Sequence, residues 1–308
     1  MRTFCCVIII TLFFTCAPAQ ELMSRSQPDA ALPGTTSLTI HRLVPEVQMV
    51  ISAQDHRHRP VVDLQEAEIA VFDNGIAVPI TSFESRASLP LRIALLLDAS
   101  ESMHPGFAAE RRTGLNSLRR LHGSRGDQVF AITFAAGQMP FLAYAQTEAP
   151  KASPPLQAGG QTALYDSLIA AARKLASATP TRRVLLLFSD GEDNYSRATL
   201  GEAIAALQQW QIAVYSISVH SSRWEYPGDR ILRQIAASSG GRAFFLSRYD
   251  KAQAIFAEIE SELRGQYVVG FRPAGQLNGG EFHAVRIQGR SGHLRLRTRA
   301  GYYVPSAN

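Results

Sequence analysis

Asp98, Ser100 and Ser102 occupy alternate positions directly after the aliphatic run Leu91-Arg92-Ile93-Ala94-Leu95-Leu96-Leu97. One carboxylate and two hydroxyls are hard oxygen donors, and three of them converging on a point suit Mg²⁺, Mn²⁺ or Ca²⁺. No thiolate or imidazole is among them, which disfavours zinc. Two further groups can join this set. Thr162 closes Gly159-Gly160-Gln161-Thr162 at the entrance of a helical stretch, where the glycines free the loop and the hydroxyl points off the sheet edge. Asp190 lies in Ser189-Asp190-Gly191 after the apolar run Val184–Phe188, with the glycine allowing a sharp exit.

Such groups need a scaffold that brings them to one edge. The run at 91–97 is too short to span a membrane and suits a buried strand of a parallel sheet. Further strands are predicted at 128–134, 183–189, 212–219 and 242–246. They alternate with amphipathic helical stretches near 105–122, 163–178, 198–209, 228–238 and 250–264. This alternation predicts an α/β fold over residues 91–265, a doubly wound, mostly parallel sheet that binds ligands beyond the carboxyl ends of its strands. Residues 37–90 and 266–308 instead alternate apolar and polar positions in period two, with Asp73-Asn74-Gly75 as a hairpin turn. Each segment is small for a sheet of its own. The two are therefore expected to pair into one β-sandwich around the α/β domain, two separate β appendages being the alternative.

The first nineteen residues read as a signal peptide: Arg2, the apolar stretch Phe4 to Phe14, then Ala17-Pro18-Ala19. An uncleaved anchor and lipid attachment at Cys16 are the alternatives, but the apolar stretch falls short of the ~20 residues a span needs. Gln20 to Thr36 is polar, with Pro28 and Pro33, and is expected to be a flexible linker. Cys5, Cys6 and Cys16 all lie in the leader, so cleavage would leave a chain with neither disulfide nor thiol chemistry. The expected product is exported, to the periplasm, the cell envelope or the medium, with no transmembrane segment in the mature chain. Losing Arg2 lowers the formal charge of +5 by one, a mild excess that does not indicate nucleic-acid binding. Arg286, Arg290, Arg295, Arg297 and Arg299 are spaced as on a solvated sheet face.

With its motifs in place, the chain resembles a von Willebrand factor type A domain over about residues 91–265. The Asp-x-Ser-x-Ser of that family's metal-ion-dependent adhesion site falls on Asp98, Ser100 and Ser102, its second-loop threonine on Thr162 and its third-loop aspartate on Asp190. The whole chain is further similar to a group of exported bacterial proteins of this class, seen especially in acidobacteria. Their flanks resemble Asp63-Leu64-Gln65 through Phe83 and Gln266-Tyr267 through Gly301-Tyr302-Tyr303. The resemblance implies a Rossmann-like fold, a divalent cation, Mg²⁺ first and Mn²⁺ or Ca²⁺ next, and binding in place of catalysis. It also implies that one of Asp98 and Asp190 acts through water. Elementary coordination chemistry agrees. Two carboxylates and three hydroxyls leave a cation short of six ligands and the site near neutral, so a Glu or Asp of a partner protein is a natural further ligand.

Other residues carry weaker signals. Asp166, four residues after Thr162 on one helix face, either orients a group that holds the ion or is a solvated carboxylate. Glu192 and Asp193 could hold another cation or be loop acids. His56 and His58 sit in a turn without a third ligand. His104, Trp224 and Tyr226 could touch a bound partner or pack locally. The sequence contains no Gly-x-Ser-x-Gly elbow, no His-Glu-x-x-His and no phosphate loop. The expected function is thus cation-dependent adhesion to a protein, without catalysis. A scaffold role in a cell-envelope complex and a metal-dependent hydrolase using Asp98 and Asp190 are the alternatives.

Overall fold

The computed structural model describes residues 46–85, 89–103, 106–121, 126–135, 141–143, 159–177, 182–219, 226–248, 251–275 and 277–304. The proposed signal peptide and linker, His104 and Trp224 lie outside them. Period-two alternation in the first segment forms β1 (Val47–Gln54), β2 (Ile69–Asp73), β3 (Ile76–Val78) and β4 (Ile80–Ser85). The middle of the chain contains β5 (Leu91–Asp98), α1 (Phe107–Leu121), β6 (Gln128–Phe134), β7 (Phe141–Ala143), α2 (Leu164–Ala176) and β8 (Arg182–Phe188). It continues with α3 (Leu200–Gln209), β9 (Ile212–Val219), α4 (Pro227–Ser239), β10 (Arg242–Leu246) and α5 (Ala252–Arg264). The last segment supplies β11 (Gln266–Phe271), β12 (Phe282–Gly289), β13 (Arg295–Arg297) and β14 (Gly301–Tyr303).

The central sheet has the order β10-β9-β8-β5-β6-β7, parallel except for the antiparallel edge strand β7. Successive side chains of a strand face opposite ways, so a strand buried on both faces feeds two cores. Leu91, Ile93, Leu95 and Leu97 pack with Leu118 of α1 and Phe256 and Ile259 of α5. Ala94 and Leu96 pack on the other side with Leu168 of α2, Leu207 of α3 and Ile235 of α4. Helices thus cover both faces. Because β5 pairs with β6 on one side and β8 on the other, the strand order reverses at β5, the place where open α/β sheets leave a crevice for ligands.

The flanking strands of both ends share sheets. One sheet runs β13-β1-β11-β4, with C-terminal and N-terminal strands alternating, and the other runs β14-β12-β2-β3, where β12 and β2 join a C-terminal pair to an N-terminal pair. Met49, Ile51, Val269 and Phe271 of the first meet Ile69, Val71, Val285 and Ile287 of the second in one buried cluster. The chain leaves this sandwich after β4 and returns as β11, which is hydrogen-bonded to β4 in the register Tyr267↔Ser85. The α/β domain is therefore an insertion between neighbouring strands, and only Gly265 separates α5 from β11. The Asn74-Gly75 turn joins β2 to β3 with both residues in the left-handed region, at φ 47° and 82°.

Two features depart from the sequence expectation. The short strands β7 and β14 carry too few residues to show alternation. Arg299 does not lie on a solvated face: it is only 8% exposed, donating Nη1 to the carbonyl of Gln208 and Nη2 to that of Gln48. Every residue of β11 is likewise buried, because Tyr267, Val269 and Phe271 enter the sandwich core while Gln266 and Val268 face the α/β domain. A period-two pattern reveals a strand, but not that its polar face is covered by a third layer.

Candidate metal centre

The site begins at the carboxyl end of β5. In-register pairing of Leu97 with Phe188 sets Asp98 beside Ser189, and the Ser189 hydroxyl donates to Asp98 Oδ2 at 2.7 Å. The strand stops at Asp98, and a short 3₁₀ turn (Glu101–Met103) follows. This turn, and not continued strand alternation, brings the serines together. Ser100 N donates to Asp98 Oδ1 at 2.9 Å, and the Ser100 and Ser102 hydroxyls are 3.1 Å apart. Asp98 and Ser100 are buried, whereas Ser102 is exposed, so the group opens outward.

The second loop is laced to the first. Gly159 N donates to the Ala99 carbonyl at 2.7 Å and Glu101 N to the Gly160 carbonyl at 3.1 Å. Thr162 is buried just ahead of Ala163, the cap position of α2. Its peptide is gripped from both sides by the third loop: Asn194 Oδ1 accepts from Thr162 N at 2.7 Å, and the Thr162 carbonyl accepts from Asn194 N and Tyr195 N, both at 3.0 Å. Asp190, half-buried, opens the third loop, and its Oδ1 accepts from Glu192 N at 3.1 Å. The next residue, Gly191, has φ +82°, and a Cβ there would stand 2.3 Å from the carbonyl oxygen of Gly228 at the start of α4. Only glycine satisfies both constraints.

Electrostatics mark Asp98 out. Burial pushes its carboxyl up to about 6, against the hydrogen bonds from Ser100 and Ser189 that pull it down, and the charge of Asp190 adds to the rise. Two carboxylates thus meet where one is wholly buried, and among the described residues no Arg, Lys or His pairs with Asp98. A buried carboxylate is ordinarily ion-paired or bound to a metal. All-oxygen donors around an acid that lacks a counter-charge fit a hard divalent cation. Among the described residues no three His, Cys, Asp or Glu side chains assemble into a metal-binding group, so hydroxyls would have to supply much of any coordination.

Other sequence candidates have local duties. Asp166 accepts from Arg197 N and Ala198 N, both at 3.0 Å, and ties the third loop to α2. Asp193 Oδ1 accepts from Tyr165 N and the Ser196 hydroxyl, so it braces the same loop. Glu192 is exposed and lines, with Tyr165, Tyr226 and Arg230, a groove of about 660 Å³ beside the site. His58 Nε2 lies 3.2 Å from Arg295 Nη1, within a turn organised by Asp55. Sequence reasoning missed Ser189 and Asn194, which fix Asp98 and Thr162. The β5–β8 register could have revealed Ser189, but nothing in the sequence sets Asn194 apart from an ordinary loop amide.

The family model described as von Willebrand factor type A domain matches residues 93–258, more than half of the chain. No curated protein matches. Solved structures with a similar fold include proximal thread matrix protein 1 from the mussel byssus, at 18% identity over 70% of this chain and 50% of that one, with a TM-score of 0.47. A von Willebrand factor type A protein from Catenulispora acidiphila matches at 14% identity over 85% of this chain and 74% of that one, TM-score 0.46. The ArnB paralog VWA2 from Sulfolobus acidocaldarius matches at 13% identity over 84% and 76%, TM-score 0.44. The chain spans about half the length of the mussel structure.

Proposed function

Because this chain belongs to the von Willebrand factor type A domain family, whose members typically mediate protein–protein interaction or adhesion, we propose that it captures a protein partner through a divalent cation. Asp98, Ser100, Ser102, Thr162 and Asp190 would hold the ion, Mg²⁺ first and Mn²⁺ or Ca²⁺ as alternatives. The ion would in turn accept an Asp or Glu side chain of the partner. The supporting observation is the wholly buried Asp98 carboxylate, which has no cationic partner among the described residues and is held by the Ser100 amide and the Ser189 hydroxyl at the crevice where the strand order reverses. Ser189 would orient Asp98, Asn194 would hold Thr162, and the exposure of Ser102 would leave the ion accessible from outside.

We further propose that residues 1–19 are a cleaved leader and that the protein acts outside the cytoplasm. Among the described residues no helix is long and apolar enough to cross a membrane. The reading is tested with a library of displayed peptides panned on the immobilised protein in Mg²⁺ and eluted with chelator. Recovered peptides are expected to carry Asp or Glu and to be lost from an Asp98→Ala column. Recovery that is equal with and without chelator, or equal on both columns, would defeat the proposal and favour a cation-independent scaffold.

A further inference from the structure

At the opposite end of the central sheet, where β8 and β9 begin, a cavity of about 180 Å³ lies between the α/β domain and the outer face of the β1–β11 sheet. Val50, Val184, Ala213 and Val268 give it apolar walls, and Arg182, Arg183 and Arg299 line it as well. No carboxylate is among the described residues that line it. Arg183 donates Nη1 to the Trp210 carbonyl at 3.1 Å, and Arg299 donates Nη1 to the Gln208 carbonyl at 3.0 Å. Both guanidiniums are therefore anchored on the last turn of α3. Arg299 makes its remaining bonds to the Gln48 carbonyl and the thioether of Met49, a weak acceptor.

Among the described residues that line this wall, the charge does not balance. The helix C-terminus contributes about half a negative charge, which against the two guanidiniums it anchors, Arg183 and Arg299, leaves roughly +1.5 facing a partly enclosed space. Buried charges are normally paired. Burial pushes the Arg299 guanidinium down to about 10, and the nearby Tyr302 hydroxyl offsets only part of that fall. On the far side of Arg183, Arg92 is held down first by burial and then by the like charge of Arg183.

We infer that this cavity is a binding site for a small organic oxyanion, a carboxylate or phosphate held between Arg183 and Arg299 with its apolar part against Val50, Val184 and Val268. Arginine forks suit both oxyanions, and apolar walls with a few convergent polar groups are the usual make-up of a small-molecule site. The bound anion would bridge the inserted domain and the sandwich, since Arg183 belongs to β8 and Arg299 lies between β13 and β14. This site is independent of the cation reading and lies at the other end of the strands.

The test is calorimetric titration of the full chain with pentanoate, butyl phosphate, inorganic phosphate and pentanol. All titrations are run in chelator at matched ionic strength, so that no metal at the Asp98 end can take the carboxylate. Pentanoate or butyl phosphate is expected to bind saturably at one equivalent and to raise the melting temperature, the stronger of the two identifying the headgroup. Arg183→Gln, at a half-buried position, and Ala213→Leu, which fills the cavity, should each weaken that binding at least tenfold. The inference is overturned if neither organic anion binds, if pentanol binds equally well, if inorganic phosphate matches butyl phosphate, or if both variants bind like wild type.

Discussion

Gly191 and Gly75 have the same backbone φ, +82°, yet opposite surroundings. A Cβ on Gly75 would meet nothing within 4 Å, whereas on Gly191 it would stand 2.3 Å from Gly228 O and 2.8 Å from Leu232 Cγ. Gly75→Ala should therefore cost only the left-handed strain, about 1–2 kcal/mol. Gly191→Ala adds overpacking against α4, about 1–3 kcal/mol more, for a total of roughly 2–5 kcal/mol. Urea unfolding monitored by circular dichroism measures both, with unchanged slopes showing that stability has changed and the surface exposed on unfolding has not. The Asp190 main chain also rests on this helix start, since a Cβ on Gly228 would lie 2.0 Å from Asp190 O. Gly191→Ala should thus displace Asp190 and weaken Mg²⁺ binding at least tenfold, while Gly75→Ala leaves it unchanged. Equal midpoints for the two variants, or unaltered cation binding in Gly191→Ala, would refute the idea that this contact positions the third loop.

Three other outcomes follow from the same geometry. Asp98 is raised to about 6 by burial, while an unfolded aspartate titrates near 4. Between those values the native state holds a proton that the unfolded chain has lost, so in chelator this group's contribution to stability falls as pH rises, by at most roughly 3 kcal/mol, and is flat above. The stability difference between wild type and Asp98→Asn, followed from pH 4 to 7, should show that decline; a flat difference would refute it. Asp166→Ala removes the acceptor of two backbone N–H groups and should cost about 1–2 kcal/mol, with faster amide exchange at Arg197 and Ala198; unchanged exchange would count against its bracing role. Glu262, 1% exposed, meets Arg297, Arg242 and the Tyr215 hydroxyl where α5 faces the sandwich. Arg297→Ala should cost about 2 kcal/mol by leaving that carboxylate with fewer partners, as read from the thermal midpoint.

How much could be read in advance depended on how local each cause was. The aliphatic strands β5, β8 and β9 were legible because a strand covered on both faces must be apolar throughout. The spacing of Asp98, Ser100 and Ser102 was legible too, although the reason it works is a 3₁₀ turn and not a strand face. Ser189 was hidden because its role arises from register between two strands 91 residues apart. Asn194 was hidden because a loop amide has no pattern of its own. Arg299 looked solvated because alternation reports side-chain direction and says nothing of the layer beyond. The pairing of the flanking segments could be argued only from their small size, and its explicit form, with β11 seated between β1 and β4, depends on long-range contacts.

The most direct measurement is anomalous scattering from a crystal of this protein soaked in Mn²⁺. The account predicts one strong peak about 2.0–2.6 Å from the Ser100 hydroxyl, within direct or water-mediated reach of Asp98, Ser102, Thr162 and Asp190, and its disappearance in Asp98→Ala. A well-ordered crystal with no peak there, or with one that persists in that variant, would contradict it.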